Sequence, residues 1–210
     1  YLFINDEAGD MQLAVADMDI YENLTPGVLA SRRQLLDGSQ VVVLDTNLPA
    51  ESIAWLADNC HAPIFADPVS TVKAEKLRPV LGKLHTLKPN RLEAELLSGV
   101  PITGTDSLHR AAQTLLETGL HRVFISLGAD GVYAADQSGS VTLPAPKAEM
   151  VSTTGCGDSF MAALTWAYLQ GSDLERSARA GLAASSLTME SAETIHPSMS
   201  EAELLRRMAL

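Results

Sequence analysis

The sequence is poor in cysteine, in basic residues and in long apolar runs. Its two cysteines, Cys60 and Cys156, offer neither a disulfide framework nor the spacing of a zinc site, so a reducing cytoplasm is the expected compartment. Lys and Arg number 15 against 26 Asp and Glu, which gives a net charge of −11. This diffuse negative charge disfavours a nucleic-acid partner, because binding to a phosphate backbone requires clustered cations. No segment approaches the run of about 18 apolar residues that a membrane helix needs, so no membrane association is expected.

Several enzyme motifs are also absent. The chain has no G-x-G-x-x-G after an early strand and no acidic ribose anchor placed after one, which disfavours an NAD-dependent oxidoreductase. Its 5 histidines show neither helical pairing nor an H-E-x-x-H pattern, so structural or surface roles are expected for them rather than metal ligation. A nucleotide ligand remains compatible with the negative charge, because a few backbone amides and one metal ion can neutralise a triphosphate locally.

The sequence also lacks an initiating Met and opens within an apparent strand. Residues 1–5 and the alternating residues 11–18, joined by a turn over 6–10, predict a β-hairpin. A natural domain rarely begins on the first residue of a strand. We therefore expect this chain to be part of a longer protein.

After the hairpin, apolar stretches of strand length and of helix length alternate. The run Val-Val-Val-Leu before Asp45 is typical of a strand that is buried on both faces. The predicted strands are 40–45, 63–66, 84–87 and 122–127, and the predicted helices are 25–36, 49–59, 71–81, 90–97 and 106–118. An edge hairpin over 132–136 and 140–143 follows, and then helices over 157–169, 173–190 and 200–208. This order predicts an α/β fold with a mostly parallel central sheet flanked by helices.

The first motif that can carry chemistry is Ser152-Thr153-Thr154-Gly155-Cys156-Gly157-Asp158, which precedes a nearly all-apolar helix. Two glycines let the chain bend sharply and leave backbone N–H groups unobstructed. At a helix N-terminus such amides form a site for a phosphate in flight, and Asp158 lies within one turn, able to accept a proton from an attacking hydroxyl. The alternative is an ordinary helix cap, for which Ser, Thr, Gly and Asp are the expected residues.

The second motif is Lys88-Pro89-Asn90-Arg91-Leu92-Glu93, between a predicted strand and a predicted helix. Asn90 and Glu93 are three residues apart and face the same side of the first helical turn. At the carboxyl end of a parallel strand they could hold the water shell of a Mg²⁺ ion bound to a nucleotide. The alternative is a capping box, in which Asn at the N-cap and Glu at the third position satisfy each other's backbone amides.

The third motif, after a buried strand, is Ser126-Leu127-Gly128-Ala129-Asp130-Gly131. Its glycines would let the backbone approach phosphates closely. The alternative is a turn that ends in Asp-Gly before the next strand. Both interpretations can hold together.

These three motifs, in this order, resemble those of the ribokinase-like (PfkB) carbohydrate kinases, whose second signature is D-T-x-G-A-G-D. The resemblance implies an α/β core with a β lid, ATP as the phosphoryl donor, a Mg²⁺ requirement, and transfer to a primary hydroxyl of a small-molecule nucleoside or sugar. It implies that residues 1–20 form part of the lid and that residues 21–210 form the nucleotide-binding and catalytic core. The open strand edges of the lid favour a homodimer through it.

The resemblance also implies roles for individual residues. Asp158 resembles the catalytic base, which would also contact the acceptor. Gly155, Cys156 and Gly157 resemble the anion hole, and Asn90 and Glu93 the pair that organises Mg²⁺ and phosphate. The remaining assignments are ATP contacts by Ser126, Leu127, Gly128, Ala129, Asp130, Gly131, Gly157 and Leu182, the last of these near the adenine.

Within the family, the nearest resemblance is to the pseudouridine kinases. It rests on His85-Thr86-Leu87-Lys88-Pro89-Asn90-Arg91-Leu92-Glu93-Ala94-Glu95, on Asp67-Pro68-Val69-Ser70, and on Asp45-Thr46-Asn47. This resemblance implies that Asn47 contacts the substrate. A ribokinase-type sugar kinase and a non-catalytic nucleotide-binding fragment of the same fold remain the alternatives.

The chain departs from the family pattern in three respects. Roughly the first third of a family member is missing, including the Gly-Gly signature and the strand whose Asp holds the sugar hydroxyls. Ser152 stands where many members have an Asp that helps to bind potassium, which argues against activation by a monovalent cation. Cys156 replaces a small residue, either as simple space-filling or as an oxidant-sensitive thiol whose pKa the helix N-terminus lowers.

Overall fold

The computed structural model describes residues 2–5, 11–15 and 17–209. The chain divides into two compact units, one made of residues 1–18 with 143–210 and the other of residues 19–142. The division into a lid over 1–20 and a core over 21–210 stays a prediction. No helix in the described part of the chain is both long enough and apolar enough to cross a membrane.

The N-terminal segment forms a two-stranded antiparallel sheet. Strand β1 (Leu2–Asn5) pairs with β2 (Met11–Val15), so that Ile4 lies opposite Leu13. The side chains of Ile4, Leu13 and Val15 are exposed. The antiparallel pairing agrees with the prediction, although β2 ends before residue 18; the predicted turn over 6–10 lies outside the described residues.

The unit of residues 19–142 contains the alternating helices and strands. The strands are β3 (Val42–Asp45), β4 (Ile64–Asp67), β5 (Thr86–Leu87), β6 (Arg122–Ser126), β7 (Val132–Asp136) and β8 (Gly139–Leu143). The last residue of β8, Leu143, belongs to the other unit. The helices are α1 (Pro26–Ser31), α2 (Arg33–Asp37), α3 (Ala50–Asn59), α4 (Thr71–Ala74), α5 (Arg91–Ser98) and α6 (Thr105–Glu117). Short 3₁₀ helices span Asp19–Asn23, Glu75–Lys83 and Gly128–Asp130.

The six strands form one sheet in the order β3-β4-β5-β6-β7-β8. Strands β3 to β6 are parallel to their neighbours, and β7 runs antiparallel to β6. Only two residues join β7 to β8, which is enough for a hairpin and far too few for a parallel crossover. The core includes Phe65, Leu87, Phe124 and Ile125, all nearly inaccessible. A mostly parallel sheet with an antiparallel edge is the predicted architecture.

Two predicted helices differ from what the structure shows. The predicted helix 71–81 is α-helical only over Thr71–Ala74 and continues as a 3₁₀ helix to Lys83. Pro79 lies inside this segment, and proline removes a backbone donor and crowds the preceding turn of an α-helix. The predicted helix 25–36 is divided at Arg32, which ends α1 and begins α2.

The described residues of the other unit also include helices α7 (Cys156–Leu169), α8 (Leu174–Met189) and α9 (Glu201–Met208). Helix α8 packs against both α7 and α9. A Cβ atom on Gly181 of α8 would lie 2.4 Å from the ring of Phe160 on α7, so the missing side chain lets the two helices approach closely. Alanines from α7 and α8 pack with Leu204 of α9.

Candidate active site

The N-cap residue of α7 has no side chain that could cap the helix. That residue is Gly155, with φ of +84°, whereas Asn90, Asp173 and Ser200 cap α5, α8 and α9 with their side chains. The first amides of a helix have no partner inside the helix, and the helix dipole makes this end positive. The N–H of Cys156 donates to the carbonyl oxygen of Thr153 at 3.3 Å, within the loop itself. The anion-binding site at the start of α7 stays a prediction of the glycine motif.

Gly155 is required for space as well as for its backbone conformation. A Cβ atom at this position would lie 2.3 Å from the carbonyl oxygen of Thr194 and 2.8 Å from its Cγ2. The left-handed φ is itself unfavourable for any residue with a side chain. The loop is thus held against the segment that follows α8 at a distance that only glycine permits.

Of the two alternatives for Cys156, the thiol with a lowered pKa is contradicted. The thiol is half-buried, and burial raises its pKa above the ordinary value. Its Sγ lies 3.9 Å from the carbonyl oxygen of Ser152 and 3.6 Å from that of Ser185, and both oxygens would disfavour a thiolate. The raised pKa supports the space-filling alternative.

Asp158 lies in the first turn of α7 and is exposed. It borders a mainly apolar cavity of about 460 Å³ between α7, α8 and α9. The cavity is lined by Asp158, Ser159, Ala162, Ala163, Trp166, Ala184, Thr194, Ile195, Met199, Ser200, Glu201 and Leu204. The positive end of α7 favours the ionised carboxylate at this position.

A second cavity in the same unit includes Leu182, the residue predicted to lie near the adenine. This cavity measures about 540 Å³, within the range of small-molecule sites. Its lining residues are Leu143, Pro144, Ala145, Pro146, Lys147, Arg179, Leu182, Ala183, Ser186, Arg207 and Met208. It therefore combines apolar walls with three cationic side chains.

In the unit of residues 19–142, Asn90 and Glu93 form the capping box at the start of α5. The side-chain Oδ1 of Asn90 accepts a hydrogen bond from the N–H of Glu93 at 2.9 Å, and Glu93 Oε2 accepts one from the N–H of Asn90 at 2.8 Å. The capping alternative is thus confirmed. The capping box uses one carboxylate oxygen of Glu93, Oε2, and does not by itself exclude a contact between Oε1 and a hydrated ion.

The carboxylate of Glu93 is unusually buried, with only 3% of the residue exposed. Burial raises its pKa; the N–H of Asn90 and the charge of Lys88 act in the opposite direction, and the negative charge of Asp67 raises the pKa further. A carboxylate in this environment is stabilised by any added positive charge. No group of three or more His, Cys, Asp or Glu within the described ranges could hold a metal ion by itself.

An ion pair between Asp67 and Lys88 connects the ends of β4 and β5. The Lys88 Nζ atom lies 2.9 Å from Asp67 Oδ2, and the two side chains are only 8% and 16% exposed, respectively. Asp67 Oδ1 also accepts a hydrogen bond from the N–H of Val69, which has φ of +62°. The N–H of Ser70 donates to the carbonyl of Pro68 at 2.6 Å, so the chain makes a γ-turn with a β-branched residue at its centre, which is a strained conformation.

Asn47 lies after β3, within a hydrogen-bonded network. Its backbone N–H and its Nδ2 donate to the carboxylate of Asp45 at 2.8 and 2.7 Å, and its Oδ1 accepts from Lys73 Nζ at 2.5 Å. Lys76 Nζ holds the same loop by donating to the carbonyl oxygens of Thr46 and Leu48. The orientation of the Asn47 amide is therefore fixed on both sides.

Residues 126–131 lie beside Asn90, because Asn90 and Ser126 form a parallel bridge beyond the ends of β5 and β6. The segment turns through the 3₁₀ helix Gly128–Asp130, and the N–H of Leu127 donates to the carbonyl of Gly131 at 2.8 Å. The turn alternative is thus confirmed. Gly128 and Gly131 both have positive φ, so the turn depends on their lack of a side chain.

Each unit thus assembles its own group of the predicted residues. One unit places Asn47, Asn90 with Glu93, and 126–131 after the carboxyl ends of β3, β5 and β6, which is where ligands bind in open α/β sheets. The other unit places residues 155–158 at the start of α7 and Leu182 on α8, which packs against α7. The sequence patterns did not reveal that Lys73 bonds to Asn47 or that Lys88 pairs with Asp67, because each pair joins residues that are distant in the sequence.

Comparison with known proteins gives consistent results. A family model described as pfkB family carbohydrate kinase matches residues 1–202. A pseudouridine kinase from Escherichia coli (strain K12) is 38% identical over 207 residues, which are 98% of this chain and 66% of that enzyme. The chain therefore spans slightly less than two thirds of the length of this relative.

Solved structures show the same fold. A carbohydrate kinase from Agrobacterium tumefaciens superposes with a TM-score of 0.81 at 28% identity, covering 99% of this chain and 67% of the other. A ribokinase from Thermotoga maritima superposes with a TM-score of 0.84 at 22% identity, covering 98% and 68%. The predicted ribokinase-like α/β fold is confirmed.

Proposed function

The chain belongs to the pfkB family of carbohydrate kinases, and from this premise we propose that the protein transfers the γ-phosphoryl group of ATP to a primary hydroxyl of a small nucleoside or sugar. Pseudouridine is the first candidate acceptor, because a pseudouridine kinase is 38% identical across nearly the whole chain. The observation that carries the proposal is the glycine loop at the start of α7 with Asp158 in the first helical turn.

In the proposed reaction, Asp158 orients the acceptor hydroxyl and accepts its proton. The hydroxyl oxygen forms a bond to the γ-phosphorus, and the bond from that phosphorus to the β–γ bridging oxygen breaks, which leaves ADP. The amides of Gly155, Cys156 and Gly157 stabilise the charge on the phosphoryl group during transfer. A strong base is not required, because the proton moves late in a loose transition state.

We assign the adenine of ATP to the cavity beside Leu182, where Pro144, Pro146 and Ala183 provide apolar walls for a flat base. Residues 126–131 are assigned to the phosphate and ribose contacts, since their glycines leave the backbone accessible. Family membership supports ATP as the donor.

Glu93 and Asn90 are assigned to Mg²⁺ and its water shell. The donor set fits this assignment, because the capping box uses only Oε2 of the Glu93 carboxylate and a cation would relieve the repulsion between Glu93 and Asp67. Mg²⁺ commonly keeps several waters and binds through one or two carboxylates together with substrate phosphates. When bound, it would neutralise charge on the nucleotide phosphates.

Further assignments concern the acceptor, cations, compartment and assembly. Asn47 is proposed to contact the acceptor through its fixed amide group. Ser152 has no carboxylate, and its Oγ accepts the N–H of Thr154, so we propose activity without potassium. The exposed apolar residues of the N-terminal strand pair favour a homodimer through this hairpin. A cytoplasmic location stays a prediction.

The alternative is a domain that binds nucleotide without turnover. It is favoured by the coverage, because this chain spans only 66% of the pseudouridine kinase it resembles. ATP affinity and ADP release measured on the 210-residue chain separate the two cases. Binding without ADP release would support the alternative for this chain.

The central test is the substitution Asp158→Ala in the intact protein, assayed with pseudouridine, uridine and ribose as acceptors. We expect kcat to fall by roughly 10² to 10⁴-fold with ATP binding retained. Asp106→Ala is the matched control, because Asp106 is also an exposed carboxylate in the first turn of a helix. Wild-type turnover in the Asp158 variant would overturn the assignment of the base.

A further inference from the structure

Helix α8 presents three small residues on one face. Gly181, Ser185 and Thr188 are spaced by four and then three positions, which places them in one row along the helix. Gly181 allows close contact with α7 at Phe160. The two hydroxyl residues follow this contact toward the start of α7, and both make hydrogen bonds to it.

Ser185 and Cys156 are joined by two reciprocal contacts. Ser185 Oγ donates to the carbonyl oxygen of Cys156 at 2.8 Å, and Cys156 Sγ lies 3.6 Å from the carbonyl oxygen of Ser185. The first contact holds the peptide that joins Cys156 to Gly157. The N–H of this peptide belongs to the proposed anion hole.

Thr188 holds the residue that follows Asp158. Its Oγ1 lies 2.6 Å from Ser159 Oγ, and Thr188 is completely buried. Because Thr188 is buried, its hydroxyl gains no hydrogen bond from water when this pair is broken, which favours this one geometry. The orientation of the first turn of α7 is therefore set partly by α8.

The end of α8 also holds the loop before the glycines. The carbonyl oxygen of Met189 accepts hydrogen bonds from the N–H groups of Val151 and Ser152, at 2.9 and 3.2 Å. The last turn of α8 thus contacts the chain on both sides of the proposed anion hole. It binds Val151 and Ser152 of the phosphate loop, residues 151–158, and Ser159 directly after that loop. The resemblance gives no role to Ser185, Thr188 or Met189, the α8 residues that make these contacts.

We propose that Ser185 and Thr188 are positioning residues for the phosphate loop. They keep the amides of Gly155 to Gly157 and the carboxylate of Asp158 in the geometry needed for phosphoryl transfer. Such sites require their groups to be held within about 0.5 Å by supporting contacts. This inference rests on the proposed function for its effect on turnover, but not for its effect on the loop itself.

The test compares Ser185→Ala and Thr188→Val with two further variants. Ser177→Ala is the matched control, because Ser177 is a buried serine of α8 whose Oγ donates only to the carbonyl of Asp173, at 2.7 Å, in the structure described. Thr188→Ser keeps the hydroxyl group and should restore wild-type behaviour. Amide hydrogen exchange of residues 153–158 is measured on each variant without substrate, and kcat and KM for ATP are measured on the intact protein.

In Ser185→Ala and Thr188→Val we expect faster amide exchange in this loop. In the same variants kcat should fall by about 10- to 100-fold, with KM for ATP nearly unchanged. The Ser177 control and Thr188→Ser should behave like the wild type. Loop exchange no faster than in the Ser177 control would overturn the inference. Faster exchange with unchanged turnover would also overturn the inference if Asp158→Ala is inactive. If Asp158→Ala is fully active as well, the same result contradicts the proposed function instead.

Discussion

The substitution Gly155→Ala tests whether the phosphate loop is held by contact with the segment after α8. The new Cβ would lie 2.3 Å from the carbonyl oxygen of Thr194 and would have to be accommodated at φ of +84°. A left-handed conformation costs about 1–2 kcal/mol for a residue with a side chain. The forced separation from Thr194 adds about 1–3 kcal/mol, as for other overpacked sites.

Gly171→Ala is the control for backbone conformation alone. Gly171 follows the other end of α7 with φ of +69°, and its Cβ would meet no atom within 4 Å. The control should therefore lose only about 1–2 kcal/mol. The difference between the two variants, about 1–3 kcal/mol, is the contribution of the close approach to Thr194.

Urea unfolding followed by tryptophan fluorescence measures both free energies. The protein has two tryptophans, and Trp166 lies on α7 whereas Trp55 lies in the other unit. A Trp55→Phe background therefore lets the fluorescence report on the unit that contains the loop, even if the two units unfold separately. Equal losses in Gly155→Ala and Gly171→Ala would refute the reasoning, since they would show that the contact with Thr194 contributes nothing.

Three further predictions concern the packing of each unit. His85 is stacked between Phe65 and His121, and burial lowers its pKa to about 4. Between pH 6.5 and pH 4, therefore, only the unfolded chain binds the proton. The free energy of unfolding should fall by up to about 3 kcal/mol as the pH drops through this range. His85→Phe should reduce this slope in urea unfolding measured across the same pH range, and an unchanged slope would contradict it. Lys88→Met leaves the nearly buried carboxylate of Asp67 without its partner and should lower the free energy of unfolding by about 3–5 kcal/mol, with much of the loss recovered in a double variant that also carries Asp67→Asn. Gly181→Ala should lose about 1–3 kcal/mol through its clash with Phe160, and the loss should shrink in a Phe160→Leu background if that ring is the cause.

Local patterns in the sequence predicted the elements whose geometry is set by neighbouring residues. The capping box of Asn90 and Glu93 depends on a spacing of three residues, and the turn over 128–130 depends on its flanking glycines. The α/β order was predictable for the same reason, since each strand and helix carries its own apolar pattern. The 3₁₀ segment after Ala74 was missed, although Pro79 was visible as the residue that disfavours an α-helix there.

Features that depend on distant residues were not predictable. The pKa of Cys156 is raised by burial against α8, which no pattern near residue 156 reveals. The pairing of Lys88 with Asp67 requires β4 and β5 to be neighbours in the sheet. The spacing of Ser185 and Thr188 was visible, but a row of small residues does not reveal which helix it contacts.

The strained turn at Val69 has a consequence for the order of folding. Valine has no preference of its own for φ of +62°, so this conformation is imposed by the hydrogen bond to Asp67, which Lys88 holds in place. These partners come together only after β4 and β5 have paired. We therefore expect the turn to form after the transition state for folding, so that substitutions of Val69 change the unfolding rate and leave the folding rate almost unchanged in stopped-flow measurements.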